Sequence, residues 1–294
     1  MKYTVGSVPY VNAAPLISYF DFLGDRSPVR VQTAVPSELP ALLESGECDA
    51  IMVSSVDALR HPDRRLVRGI GVGSFGPVES VRLFSKVPFA DISSLVLDQS
   101  SMTSNRLAQV LVHDIHGVRP RTLTMPPDLR EMLAEHDACI LIGDKGFEAD
   151  GTGLHVMDLG EAWTRLTGLP FLWAAWIGGE RVTPPLAELL DTARFWSACG
   201  RGFDARMDNF GRRKAEEYRS LLESSGGRPY TIEFAVRTSG WTLDQARHYL
   251  LETMVYDDLP STPLIKGLLE FQRRLLANGF DDCAYLPELV SPSP

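Results

Sequence analysis

Val5-Gly-Ser-Val-Pro-Tyr-Val-Asn-Ala-Ala-Pro-Leu16 is the stretch on which the reading of this chain turns. Residues 3–7 are apolar and tolerate extended backbone, and Pro9 ends the strand. Asn12 then stands where a helix N-cap would satisfy free amides ahead of Ala13, Ala14 and Pro15. Pro15 costs little there, because the first helical turn has no amide partners to lose. Such a strand end leaves Ser7, Tyr10 and Asn12 beside a helix N-terminus, whose partial positive charge suits a carboxylate. Ligands of open α/β sheets bind outside the carboxyl ends of the strands. From this stretch alone a plainer reading stands beside that one, in which Asn12 only caps a helix and Tyr10 only packs.

Working outward, residues 29–35 read as a strand, Pro36-Ser37-Glu38 as a helix start, residues 50–53 as a buried strand and Ser54-Ser55-Val56-Asp57 as another helix start. This β-α-β-α rhythm implies a parallel sheet with right-handed crossovers. Ser54 and Ser55 fall at a second strand end, where capping and ligand contact are both open readings. Gly69, Gly71, Gly73 and Gly76 punctuate the next segment as a glycine-rich turn, followed by Pro77-Val78-Glu79-Ser80 and an alternating strand at 81–85, a place for the chain to cross between lobes. Residues 95–98 read as a strand, followed by Gln99-Ser-Ser-Met-Thr-Ser-Asn-Arg106 and a helix over 107–113. Ser101, Thr103 and Ser104 exceed what a cap needs and point to an anion cradle. A strand at 121–125, a helix opened by Pro126-Pro127-Asp128 and a strand at 138–142 lead to Gly143-Asp144-Lys145-Gly146. There Asp144 is catalytic, ion-paired or a cap. A strand at 155–159, a helix at 160–166 and an aromatic strand at 171–177 that crosses back precede a helical tail, with helices at 186–196, 212–222, 243–255 and 262–278 and an N-cap at Thr242.

At 294 residues a split into two lobes is expected, since domains cluster near ~100–150 residues. The net charge of -9, without a Lys/Arg stripe, argues against nucleic acid and leaves room for a small anion in a locally positive cleft. No apolar run approaches the ~20 residues that span a bilayer. The opening residues lack a signal-peptide pattern, Pro9 and Asn12 interrupting the one apolar stretch, so the expected location is the cytoplasm, without a membrane partner. Cys48, Cys139, Cys199 and Cys283 are scattered without metal or redox spacing. His113 and His116 sit at a helix end, and no metal site, Walker loop, nucleophile elbow or dinucleotide fingerprint is present. Chemistry must therefore come from polar groups lining a cleft.

Several segments together resemble one family: Ser-Val-Pro-Tyr-Val-Asn-Ala-Ala-Pro-Leu (7–16), Gly-Pro-Val-Glu-Ser-Val (76–81), Leu-Phe-Ser-Lys-Val-Pro (83–88), Ser-Ser-Met-Thr-Ser (100–104), Leu-Ile-Gly-Asp (141–144), Asp-Leu-Gly-x-x-Trp (158–163) and Thr-Gly-Leu-Pro-Phe (167–171). As an ordered set they resemble the chorismate dehydratases of the futalosine route to menaquinone, from the N-terminus to about Trp176 and more weakly beyond. The resemblance implies an α/β, two-lobed, periplasmic-binding-protein-like fold of type II. Its first lobe takes residues 1–84 and 177–294, its second 85–176, with crossings near 80–88 and 171–177 and a helical tail packed on the first lobe. It also implies a lyase without metal or cofactor, monomer or homodimer, that dehydrates chorismate to 3-[(1-carboxyvinyl)oxy]benzoate. Asn12, Ser80 and Asp144 match its catalytic positions. Ser7, Tyr10, Ser54, Ser55, Ser101, Thr103, Ser104, Arg82 and Arg106 are the substrate-binding candidates. Met102 stands where the family usually has Arg, so the carboxylate anchor falls to Arg82, Arg106 or Lys145. The alternatives are a non-catalytic binding protein for a small aromatic or dicarboxylic acid and the sister dihydroxynaphthoate-forming activity.

Overall fold

The computed structural model describes residues 2–36, 38–197, 230–258 and 262–292. In chain order the strands are β1 (Tyr3–Ser7), β2 (Val29–Thr33), β3 (Ala50–Ser54), β4 (Arg65–Ser74), β5 (Arg82–Ser85), β6 (Ser94–Asp98), β7 (Arg121–Met125), β8 (Ala138–Leu141), β9 (His155–Asp158), β10 (Phe171–Gly178), β11 (Met254–Asp257) and β12 (Glu288–Val290). The helices are α1 (Ala14–Leu23), α2 (Leu39–Glu44), α3 (Ser55–Arg60), α4 (Thr103–His116), α5 (Leu129–Ala134), α6 (Gly143–Glu148), α7 (Leu159–Thr167), α8 (Pro184–Ser197), α9 (Tyr230–Ser239), α10 (Leu243–Arg247) and α11 (Leu264–Ala277). The expected helix at 212–222 and Cys199 lie outside the described residues.

Two sheets organise the chain. The first runs β11-β4-β10-β3-β1-β2, with β12 also paired to β4, and the second runs β7-β6-β8-β5-β9. Each contains a parallel core, β2-β1-β3 in the first and β7-β6-β8 in the second, flanked by antiparallel strands. The parallel strands therefore point their carboxyl ends, and the helix N-termini that follow, the same way within each sheet. In the second sheet, alternation puts Leu95 and Ile140 in the main core with Leu107 and Leu111 of α4, and Val96 and Cys139 in a separate cluster with Met132 and Leu133 of α5. The tail packs on the first sheet. In α11, Leu264, Leu268, Phe271 and Leu275 recur at helical spacing and are buried against β4 and β10, while α8 and α9 lie along α1.

The sequence expectation fails at two places for physical reasons. The glycine-rich segment is not a turn: β4 runs through Gly69, Gly71 and Gly73 without a break. A Cβ at Gly71 would sit 2.7 Å from the Ala174 carbonyl oxygen and one at Gly73 2.7 Å from Leu264, so these glycines let β10 and α11 approach the strand backbone. The expected helix over 243–255 ends early. After α10, residues His248–Thr253 form a π-helical turn, and Met254–Asp257 then joins β4 as a strand.

β5 belongs to the second sheet and β10 to the first, and on this membership we propose lobe boundaries at 75–81 and 168–170. One side chain binds two successive amides of the first crossing. The Asp158 carboxylate accepts the amides of Val78 at 3.1 Å and Glu79 at 2.7 Å while capping α7 through Glu161 N at 3.0 Å. Glu79 adopts the left-handed backbone region, φ 62°, which is costly for a residue with a Cβ and persists only where its surroundings enforce it.

Candidate active site

Between the sheets lies a cavity of about 460 Å³, within the range of small-molecule sites. Its lining comes from β3, β4 and β10, from the segments after β1, β2, β6, β7 and β8, from the first crossing, and from Tyr249 and Met254 of the tail. One wall is apolar, with Met52, Val72, Val78 and Trp173. The loops bring the polar groups.

Residues Val11–Ala13 form a 3-10 turn and the N-cap position of α1 is Ala13, so Asn12 does not cap the helix. Its side chain instead lines the cavity together with Tyr249. Ser80, 3% exposed, lies 2.7 Å from the Tyr249 hydroxyl. Tyr249 is buried, and that burial pushes its phenol up to about 12, only partly offset by the polar side chains of Ser80 and Asn12 beside it. Asp144, in the first turn of α6, is exposed at the rim and accepts the Trp241 indole N–H at 3.0 Å. Tyr10 lines the cavity too. Its phenol is raised first by burial and then by the charges of Asp98 and Asp144.

The hydroxyl turn before α4 reaches the cavity as expected. Ser101, Thr103 and Ser104 line it, and no side chain caps the helix at Met102, so the N-terminus of α4 opens on the space. Ser54 and Thr103 are engaged with each other. Thr103 Oγ1 bonds Ser54 Oγ and accepts the Val56 amide at 3.1 Å, and Thr103 N donates to Ser54 Oγ at 3.0 Å. This ties the end of β3 to the start of α4, one from each sheet.

Four expected contacts are corrected. Ser7 is fully buried and does not line the cavity, because alternation along β1 turns it into the core. Ser55 faces away and donates to the Leu172 carbonyl at 2.6 Å. The Arg82 guanidinium is consumed by the carbonyls of Gly146, Phe147 and Ala149, which lack helical partners at the end of α6. Arg106 pairs with Asp282 at 3.3 Å and lies over the Phe280 ring. Lys145 is then the sole cation among the described residues that line the cavity. Met102 lines it as well, with Arg60 Nη1 3.9 Å from its sulfur. Tyr249 and Trp241 escaped sequence reading. The one signal was that a tyrosine and a tryptophan stood in a tail otherwise read as packing.

A family model described as menaquinone biosynthesis matches residues 3–198. The chain is 32% identical over 228 residues to the chorismate dehydratase of Thermus thermophilus, covering 71% of this chain and 78% of that one. The chain belongs to the chorismate dehydratase family. Among solved structures, a protein of Archaeoglobus fulgidus superposes with a TM-score of 0.65 at 18% identity, over 95% of this chain and 98% of that one. The periplasmic aliphatic sulphonate binding protein SsuA of Escherichia coli superposes with a TM-score of 0.56 at 15% identity, over 100% and 94%. These likenesses show the periplasmic-binding-protein-like fold. Among the described residues no group of three or more His, Cys, Asp or Glu side chains is placed to hold a metal ion, and no helix is long and apolar enough to cross a membrane.

Proposed function

We propose that this member of the family dehydrates chorismate to 3-[(1-carboxyvinyl)oxy]benzoate. The observation that carries the reading is the polar cluster of Asn12, Ser80 and Tyr249 on the wall of the cavity, with Ser80 bonded to the buried phenol at 2.7 Å. In the reaction a proton leaves the ring carbon that bears the enolpyruvyl ether and hydroxide leaves the neighbouring carbon. The ring becomes aromatic, which supplies the driving force. The protein has to hold a dianion, steady the leaving hydroxyl and keep the proton acceptor in reach.

The apolar wall of Val72, Val78 and Trp173 suits the ring. The N-terminus of α4, with Ser101 and Ser104, takes one carboxylate, and Ser80 and Lys145 face the other. The Asn12 amide donates to the departing hydroxyl. Two acceptors compete for the proton: the enolpyruvyl carboxylate of the substrate and Asp144. Full turnover by Asp144→Asn assigns the proton to the substrate.

Purified protein incubated with chorismate in the presence of a chelator is expected to give a product lighter by one water, read by mass spectrometry together with a change from diene to benzoate absorbance. Chorismate recovered unchanged overturns the proposal and favours a binding protein of the same fold.

A further inference from the structure

The family match stops at residue 198, yet the segment beyond it bonds Ser80 and Asp144 and lines the cavity beside Asn12. We propose that the tail from α9 to the π-helical turn is part of the active site, with Tyr249 and Trp241 as positioning residues for Asn12, Ser80 and Asp144. The inference rests on the proposed dehydration.

A tyrosine that merely fills space needs no use for its oxygen. Here the phenol bonds Ser80, from the crossing between the sheets, at 2.7 Å, and lines the cavity beside Asn12, from the loop after β1. With Ser80 held to the phenol, the rotamer of its hydroxyl, and so the way it faces the cavity, is set by Tyr249. Trp241 stacks on Phe147 at 4.6 Å and lies 5.1 Å from Tyr249, and its N–H fixes the rotamer of Asp144. Tail and α6 thus share one aromatic stack.

The π-helical turn shows why the backbone departs from α-helix at this point. Its consecutive residues meet consecutive residues of the crossing: His248 Nε2 lies 3.0 Å from Glu79 Oε1, and the Tyr249 hydroxyl 2.7 Å from Ser80 Oγ. A turn of this kind carries one more residue than an α-helical turn, and such wide turns concentrate at functional sites. Gripping both residues of the dipeptide also helps hold Glu79 in its unfavourable backbone region, and thereby the Ser80 that follows.

The test is a double-mutant cycle. Tyr249→Phe, nearly isosteric, is expected to lower kcat about ten-fold or more with KM for chorismate changed less than about three-fold, because the hydrogen bond that aligns Ser80 is lost and Asn12 loses the hydroxyl beside it. In a protein that already carries Asn12→Ala and Ser80→Ala, the same change is expected to lower kcat less than about two-fold further. A tyrosine serving only stability would lower the melting temperature and leave both kinetic values intact. Unchanged kcat in Tyr249→Phe, or an undiminished loss in the triple variant, overturns the inference. Should Tyr249→Phe fail to accumulate as folded protein, Trp241→Phe against Asp144→Asn carries the same cycle. Wild-type protein that binds chorismate without consuming it overturns the proposed function alone, and the cycle is then read on Kd. Wild-type protein that neither binds nor consumes it overturns both.

Discussion

Lys145 carries more of the proposed binding than its place on the rim suggests. The substrate brings two negative charges, and the arginines that might have met them are spent, Arg82 on backbone carbonyls and Arg106 on Asp282. A charge-assisted bond from an ammonium to a carboxylate is worth about 1.5–3 kcal/mol, so Lys145→Gln is expected to raise KM for chorismate about ten-fold or more while leaving kcat within about three-fold. The variant should also lose most of the salt dependence of KM. Steady-state kinetics at low and high sodium chloride measures both. At this scale the sequence was readable where a polar residue follows a strand, as Asn12, Ser101 and Asp144 do, because strand ends of parallel sheets open on the cavity. It was unreadable for arginines, since only the folded backbone shows whether a guanidinium meets a free carbonyl or a ligand.

Two elements earn their geometry from close approach. In α6, a Cβ on Gly146 would collide with the carbonyl oxygen of Ser80 and lie 2.8 Å from that of Leu141, both of them backbone atoms that cannot swing aside. Gly146→Ala is expected to cost about 1–3 kcal/mol of stability, as overpacking does, and to lower kcat as well, because the group pushed aside is Ser80; urea denaturation and kinetics on the folded fraction separate the two effects. In the π-helical turn, His248 lies between Glu79 of the crossing and Glu252 of its own turn, at 3.0 and 2.9 Å, and these bonds raise its pKa above 6.5. A raised folded-state value means that the stabilisation is fully present below pH 6.5 and is lost as pH climbs through the folded-state pKa. The stability difference between wild type and His248→Ala should therefore be greatest near pH 6 and shrink toward pH 9. A difference that is constant or grows with pH would show that the ion pairs are not its source. The turn itself was invisible in the sequence. Leu243 to Val255 has helical spacing throughout, and only the demand of β4 for an edge partner converts Met254–Asp257 into strand.

For the whole molecule, the alternation of apolar strands with capped helices pointed to parallel α/β sheets, because parallel connections admit few arrangements, and the family resemblance supplied the two-lobed form. What it did not reveal was the way the first sheet is completed. β4 was hidden by its glycines, whose use is to admit neighbours, and β12 by its brevity. β4 takes β10 along one side. Along the other it takes β12 at Arg65–Val67 and β11 at Ile70–Ser74, strands drawn from far down the chain. The protein therefore cannot be assembled in the order in which it is synthesised. A nascent chain emerging from the ribosome holds β4 long before the partners for its second edge exist, and a product of premature termination keeps that edge bare. Without β11 and β12 that edge of β4 offers its unpaired backbone groups to other strands and to proteases.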